Sequence, residues 1–508
     1  MVFLKKMQKA TAKHAGTLAI AALAVGVFVM LAYLASVDTL NTFWNDEVCD
    51  LEIASGKLLH IFTSGTDGNY LYAFLLWIWY HITPYGDAYL LLFPQFFCAL
   101  SIFATGMAVK SVTDSRSGVA ASVFLIVSLF FIQYANELRP YMTFVCYSAL
   151  LIWCYATQFK RKIPSIGSLI CFGILLYLMV SIHMESAALL IFVFFADVIL
   201  IIKKKRPKRV LLSYVGAVLL FIPWYLQFTK AYFRMDGNVP INSGSTFPKL
   251  INLFSQLPSL FNPIVYFLLL LAIAYTVYAF FKTRNKAAES AAETAAKDSQ
   301  TGLVSMIFVI ASLGCVLGFY VVSRYFVAKY GAGTFWINRY FLFLFPFFAF
   351  IFGFFVHSIL KHSKSKQINT VFAVAMIAAL LLFVPANYVS LSAAPSSTLK
   401  NGSNFPRAAD WIYSQGDVMN EDVAVCFNHP HPSGIERYFA EQKGTRSAWN
   451  YLNGFATENL GDKYKKVYFV QNATYRDYGL LNQLNEEYYL VEEIEELSIS
   501  VYILRETY

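Results

Sequence analysis

Long apolar blocks alternate with short polar breaks over the first 390 residues of this chain, and then the pattern stops. A helix needs about 20 apolar residues to cross the hydrocarbon of a bilayer. Eleven blocks approach that length: 16–36, 87–109, 118–135, 141–158, 166–182, 186–202, 210–228, 262–281, 303–322, 340–360 and 369–389. One more stretch, NYLYAFLLWIWYHI at 69–82, is shorter and rich in rings, which predicts an interfacial helix lying on the membrane. Beyond residue 390 the sequence is polar and mixed in sign. VAVCF (423–427), KVYFV (466–470) and SISVYIL (498–504) predict short strands, and FPRAADWIYSQ (405–415) and YGLLNQLNEEY (478–488) predict helices. The fold class so predicted is an all-α polytopic membrane protein of about eleven transmembrane helices plus interfacial helices. A small α/β domain follows it, with 1–390 as the membrane domain, 37–86 as its first external loop, and 391–508 as the soluble domain.

Composition agrees with that class. Of the 508 residues 57% are hydrophobic and 14% charged, where soluble domains carry about 25% charged residues. The net charge of +9 would point to nucleic acid on a soluble protein. Here the cations sit in short loops, so they predict topology and no nucleic-acid partner. With the N-terminus inside, the inside loops hold 22 Lys and Arg and the outside loops 8, the asymmetry that the positive-inside rule describes. The N-terminus is then cytoplasmic and 391–508 extracytoplasmic. Thr17 to Ala35 is long, with no small-residue cleavage site before a soluble domain, and predicts an uncleaved first span. KKKRPKR (203–209) is a topology anchor, with an anionic-lipid patch as the weaker rival, and 283–300 is a solvated helix or tether. Five of the seven cysteines lie in apolar runs. Cys49 and Cys426 fall in external segments, and their pairing is left open. Neither a CxxC pair nor a metal-ligand spacing occurs, so no metal or other cofactor is expected.

Four segments carry the candidate chemistry. WNDEVCDLEIASG (44–56) places Asp46 and Glu47 about ten residues past the first span; Asp46, Cys49, Asp50 and Ile53 share one helical face and Glu47 points nearly at right angles. A solvated loop or a first helical turn would also favour such acids. YANELRPYM (134–142) holds Glu137 and Arg139 in a tight turn between two spans, where charge at the hydrocarbon edge needs a partner or a ligand. Arg suits forked contact with phosphate. SIHMES (181–186) holds His183 and Glu185 in another tight turn. SRYFVAKYGAGTFWINRY (323–340) holds Arg324, Lys329 and Arg339 among aromatics, a composition that suits either interfacial anchoring or contact with an anionic head group. All four lie on the side poor in topological cations. None of these charges is mid-span, which disfavours an ion-coupled transporter.

In this order the segments resemble the GT-C glycosyltransferases that use polyprenyl-phosphate sugars, the superfamily of protein O-mannosyltransferases and lipid A aminoarabinose transferases, and most of all its RgtA/B/C/D-like bacterial branch. The Asp-Glu pair after the first span, the interfacial helix with its Gly-Asp turn, the Glu-x-Arg-x-Tyr run Glu137, Arg139, Tyr141, the turn with His183, and the late Arg339-Tyr340 pair each match. The resemblance covers about 15–230 well and 335–360 loosely. It implies a GT-C-like fold and a hexosyl- or pentosyltransferase that moves a sugar from a polyprenyl-phosphate donor to a hydroxyl of a glycan, lipid or protein at the outer face of a bacterial inner membrane. It makes Asp46 the general base, with Glu47 assisting, and Arg139 a ligand of the donor phosphate. Arg324, Lys329 and Arg339 are further phosphate ligands by charge and side. Glu137, His183, Glu185, Tyr141, Tyr340 and Asp67 are the remaining site candidates. Asp67 stands in TDGNYLY (66–72), where the family has prolines before a Leu-Tyr. The competing class is a transporter or flippase of lipid-linked glycans without covalent chemistry. A surface glycan polymerase would need one very large external loop, and 37–86 is too short for that.

Overall fold

The structure, a computed structural model, describes residues 2–36, 43, 45–63, 70–84, 86–160, 163–183, 186–234, 263–289, 293–330, 338–361, 366–393, 405–418, 420–427, 451–453, 460–470, 484–494 and 499–505. Asn401 and Asn472, which open the Asn-x-Ser/Thr triplets 401–403 and 472–474, lie outside them. The chain divides into two compact units. The first comprises Met1–Tyr33, Lys57–Ile82 and Leu91–Asn387, and the second Leu34–Gly56, Thr83–Leu90 and Tyr388–Tyr508.

Helix occupies every apolar block that the sequence marks. In chain order these are α1 (Val2–Ser36), α2 (Asn45–Ser55), α3 (Leu58–Thr63), α4 (Tyr70–Ile82), α5 (Asp87–Val112), α6 (Ser115–Ile126), α7 (Leu129–Gln133), α8 (Tyr141–Phe159), α9 (Ile166–Ile182), α10 (Ser186–Ile202), α11 (Leu211–Arg234), α12 (Pro263–Glu289), α13 (Glu293–Tyr330), α14 (Phe345–Lys361) and α15 (Lys366–Ala393). Among the described residues six helices are long and apolar enough to cross a membrane, or seven if a bent pair counts as one. Helices α9 and α10, 17 residues each, rise only about 25 Å at 1.5 Å per residue, short of the roughly 30 Å of hydrocarbon. The expected span 118–135 is not one rod. It bends by 69° between Ser115–Ile126 and Leu129–Asn136. Ser128 is extended there, and its hydroxyl donates to the Phe124 carbonyl at 2.6 Å. The bend therefore leaves the Phe124 carbonyl with a partner.

Small residues let the helices of the first unit approach closely. A Cβ added to Gly118 of α6 would meet the Gly106 carbonyl of α5 at 2.6 Å, and one added to Gly173 of α9 would meet the Ser213 carbonyl of α11 at 2.9 Å. Any larger side chain would push these pairs apart. Helix α14 is almost wholly buried and packs against α6, α8, α12 and α13. Phe308 of α13 sits edge-on to both Phe347 and Phe350 at 4.9 Å. Helices α9 to α12 expose Ile170, Ile191, Leu219 and Phe267, faces suited to lipid.

The C-terminal part of the second unit is a helix, α16 (Phe405–Ser414), with a mixed sheet of β1 (Val423–Phe427), β2 (Tyr451–Asn453), β3 (Lys466–Val470), β4 (Tyr488–Ile494) and β5 (Ile499–Leu504). The order is β2-β1-β3-β5-β4, parallel for β2-β1-β3 and antiparallel for β3-β5-β4. Ala408, Ala409 and Ile412 of α16 cover one face, made by Val423, Val425, Tyr468 and Val470. Cys426 is buried on the other with Phe469 and Tyr502. Two expectations shift here. Strands β2 and β4 are additions, and the helix expected over 478–488 is helical at 484–487 and turns to strand at Tyr488.

Candidate functional site

Three turns of the first unit, far apart in sequence, bring their side chains together. Past the bend, α7 ends in a 3-10 turn, Tyr134–Asn136, after which Glu137 is extended and Pro140 starts α8. Glu137 is buried. His183 follows α9 in extended conformation, and its carbonyl accepts from both the Ser186 amide (3.1 Å) and hydroxyl (2.9 Å). Arg339 and Tyr340 belong to a 3-10 segment, Asn338–Leu344, which Ser148 of α8 fixes by a 2.6 Å bond to the Phe343 carbonyl.

Tyr141 is the hub. Its ring stacks on His183 with centroids 5.9 Å apart, meets Tyr134 edge-on at 5.2 Å, and lies 5.7 Å under the Arg339 guanidinium. His183 also touches Phe144 at 5.1 Å and Tyr340 at 5.3 Å. The charges of Arg339, Arg139 and Glu137 all act on the Tyr141 hydroxyl. Six of the residues marked by the sequence, Glu137, Arg139, Tyr141, His183, Arg339 and Tyr340, thus form one cluster. It holds two guanidiniums and one carboxylate among aromatic rings, which lower the local dielectric. That combination strengthens any contact with an anion.

The other candidates are placed as follows. Asp46 and Glu47 lie in the first turn of α2, in the second unit, and Glu47 is fully buried. The side chain of Asp46 lies outside the described residues, as do those of Arg324 and Lys329 in the final turns of α13, and so do Asp67 and Glu185 altogether. Among the described residues no group of three His, Cys, Asp or Glu side chains converges as metal ligands would.

Two polar networks escape a sequence reading. Gln95 of α5 is fully buried and donates from Nε2 to the Leu31 carbonyl of α1 (3.1 Å) and to Asn136 Oδ1 (3.0 Å), the residue before Glu137. Asp197 of α10 is also fully buried. It pairs with Arg206 Nε at 2.7 Å and accepts from the Tyr155 and Tyr214 hydroxyls, each at 2.9 Å. A lone amide or acid inside an apolar run is the signal each offered.

By sequence, neither protein-family models nor curated proteins match the chain. Solved structures do. ArnT from Cupriavidus metallidurans in the apo state superposes with a TM-score of 0.55 at 11% identity, over 94% of this chain and 97% of that one. The same protein bound to undecaprenyl phosphate gives 0.54 at 10% identity over the same shares. The archaeal oligosaccharyltransferase AglB from Archaeoglobus fulgidus, in complex with an inhibitory peptide and a dolichol-phosphate, gives 0.51 at 12% identity, over 88% of this chain and 69% of that one. The fold of this chain is that of the GT-C glycosyltransferases. Its full-length likeness is to ArnT, with the C-terminal domain included in the match.

Proposed function

We propose that this protein is an integral membrane glycosyltransferase that moves a sugar from a polyprenyl-phosphate donor to a hydroxyl of a glycan, lipid or protein acceptor at the outer face of the membrane. The observation that carries the reading is the contact of Arg339 with the Tyr141 ring, two residues along from Arg139, in a chain of GT-C fold, a fold shared with a protein crystallised with undecaprenyl phosphate.

In this reading Asp46 takes the proton of the acceptor hydroxyl as its oxygen bonds to the anomeric carbon, and Glu47 positions it. A carboxylate in hydrogen-bond reach is the simplest base for that step. The bond from the anomeric carbon to the phosphate oxygen breaks, and its electron pair leaves with the polyprenyl phosphate. Arg139 and Arg339, with Arg324 and Lys329, stabilise the charge gained there, the role that fixed cations fill at a developing oxyanion. His183, Tyr141 and Tyr340 hold Arg339 in place. The C-terminal domain is extracytoplasmic.

The test is a membrane assay with a labelled polyprenyl-phosphate sugar. Wild type is expected to release polyprenyl phosphate, and Asp46→Asn to insert normally yet release none. Transfer at the wild-type rate by Asp46→Asn would reject the base. Movement of intact donor across proteoliposomes without release would replace the enzyme by a flippase.

A further inference from the structure

The turn KKKRPKR (203–209) joins α10 to α11 and contains six cations and no acid. A topology anchor needs only net charge, in any conformation. This turn is instead held in one. Its entry is a helix-ending double bond, with the Lys205 amide donating to the Leu200 carbonyl at 2.8 Å and the Lys204 amide to the Ile201 carbonyl at 3.0 Å. That geometry demands a left-handed residue, and Lys204 supplies it with φ 56°, the one non-glycine with positive φ among the described residues.

Arg206 is separated from its neighbours by the same turn. It folds inward onto Asp197, donates to Gln158 Oε1 at 3.1 Å, and lies 4.4 Å over the Tyr155 ring and 4.5 Å over Phe159. Its charge is cancelled. Lys203, Lys204, Lys205, Lys208 and Arg209 all remain exposed, and no carboxylate among the described residues pairs with any of them. On the helices beside the turn, Ile199, Ile202, Leu212 and Val215 are each more than half exposed, while Leu200 and Val210 turn inward and are buried. Five fixed cations beside bare hydrocarbon present two chemistries side by side.

We propose that the α10–α11 turn is a binding site for an anionic phospholipid. The phosphate sits among the five exposed cations, and the acyl chains lie along the exposed apolar faces of α10 and α11. The buried Asp197–Arg206 pair is the peg that holds the site's shape. This inference stands apart from the glycosyl-transfer reading, because none of its residues belongs to the cluster around Tyr141.

The full chain, purified in detergent, is offered phosphatidylglycerol and phosphatidylcholine together, and retained lipid is counted by native mass spectrometry. Wild type is expected to retain phosphatidylglycerol over phosphatidylcholine by about tenfold or more, since each cation near an anionic head group adds to the attraction. Lys203→Gln/Lys205→Gln/Lys208→Gln/Arg209→Gln, which leaves Lys204 and Arg206 in place, is expected to retain the two lipids equally. Equal retention by wild type, or an undiminished preference in the variant, overturns the proposal. If the variant fails to insert, wild type alone decides: raising ionic strength from about 0.05 M to about 0.5 M shortens the screening length severalfold and must erase the preference, and its persistence overturns the proposal. Glycerol phosphate must not displace the lipid; displacement would show a site for soluble phosphate and overturn it as well.

Discussion

Gln95 and Asn136, 41 residues apart in sequence, are joined by a 3.0 Å hydrogen bond inside the bundle, and the same Gln95 amide holds the Leu31 carbonyl of α1 at 3.1 Å. One amide thus ties α1 and α5 to the turn that presents Glu137 and Arg139. Gln95→Leu removes both donors and leaves the buried Asn136 carbonyl unmet. The expected loss is about 1–3 kcal/mol, read by thermal unfolding in detergent. The paired variant Gln95→Leu/Asn136→Leu should lose less than the sum of the two single changes, because partners in one network couple.

Arg206→Met leaves the Asp197 carboxylate buried without its cation, and is expected to cost about 3–5 kcal/mol in the same measurement. Arg206→Met/Asp197→Leu should recover part of that, since the unpaired buried charge is gone while the Tyr155 and Tyr214 hydroxyls lose their acceptor. A double variant as unstable as Arg206→Met alone would contradict this account.

Lys204 adopts φ 56°, a conformation in which a Cβ crowds the backbone by roughly 1–2 kcal/mol. Lys204→Gly should raise the unfolding temperature. Lys204→Val, branched at the crowded atom, should lower it.

Asp114 caps α6 through the amides of Arg116 (2.9 Å) and Ser117 (3.1 Å) and meets His357 Nδ1 at 2.6 Å. Burial would raise its carboxyl, but the His357 and Ser117 hydrogen bonds and the charges of His357 and Arg116 outweigh it and hold the group at about 2, below the usual 3.8. A depressed carboxyl stabilises the fold fully above its ordinary value, and that stabilisation is lost as pH falls from 3.8 through about 2. Wild type should therefore lose more stability than Asp114→Asn across this window, because asparagine keeps the cap without the charge. Parallel curves for the two proteins would disprove the assignment.

Much of the helical layout is legible in the sequence, since continuous apolar runs have few ways to satisfy their backbone except as helix. The tight turns holding Glu137, Arg139 and His183 follow from the shortness of the polar breaks. What escapes the sequence depends on contacts between distant segments. A single Ser128 in an apolar run gives no notice of a 69° bend, because the run is equally apolar on both sides. The helix expected over 478–488 gives way to strand β4 at Tyr488, and the acids Glu492 and Glu493 leave no strand-like alternation to announce it. It is an edge strand with a shifted register at Leu490/Glu492, where alternation is weakest. Asp197 and Arg206 pair only because a left-handed lysine folds the chain back, and nothing in local periodicity announces that reversal.

Helix α13 runs unbroken from Glu293 to Tyr330, 38 residues, or roughly 57 Å at 1.5 Å per residue. Its apolar portion, Gln300–Val321, is only 22 of them. The Ala-rich stretch before that portion and the final turns bearing Arg324 and Lys329 are therefore the two ends of one stiff lever. The two ends therefore share one axis and one helical phase, and the spacing between them is set by the residue count alone.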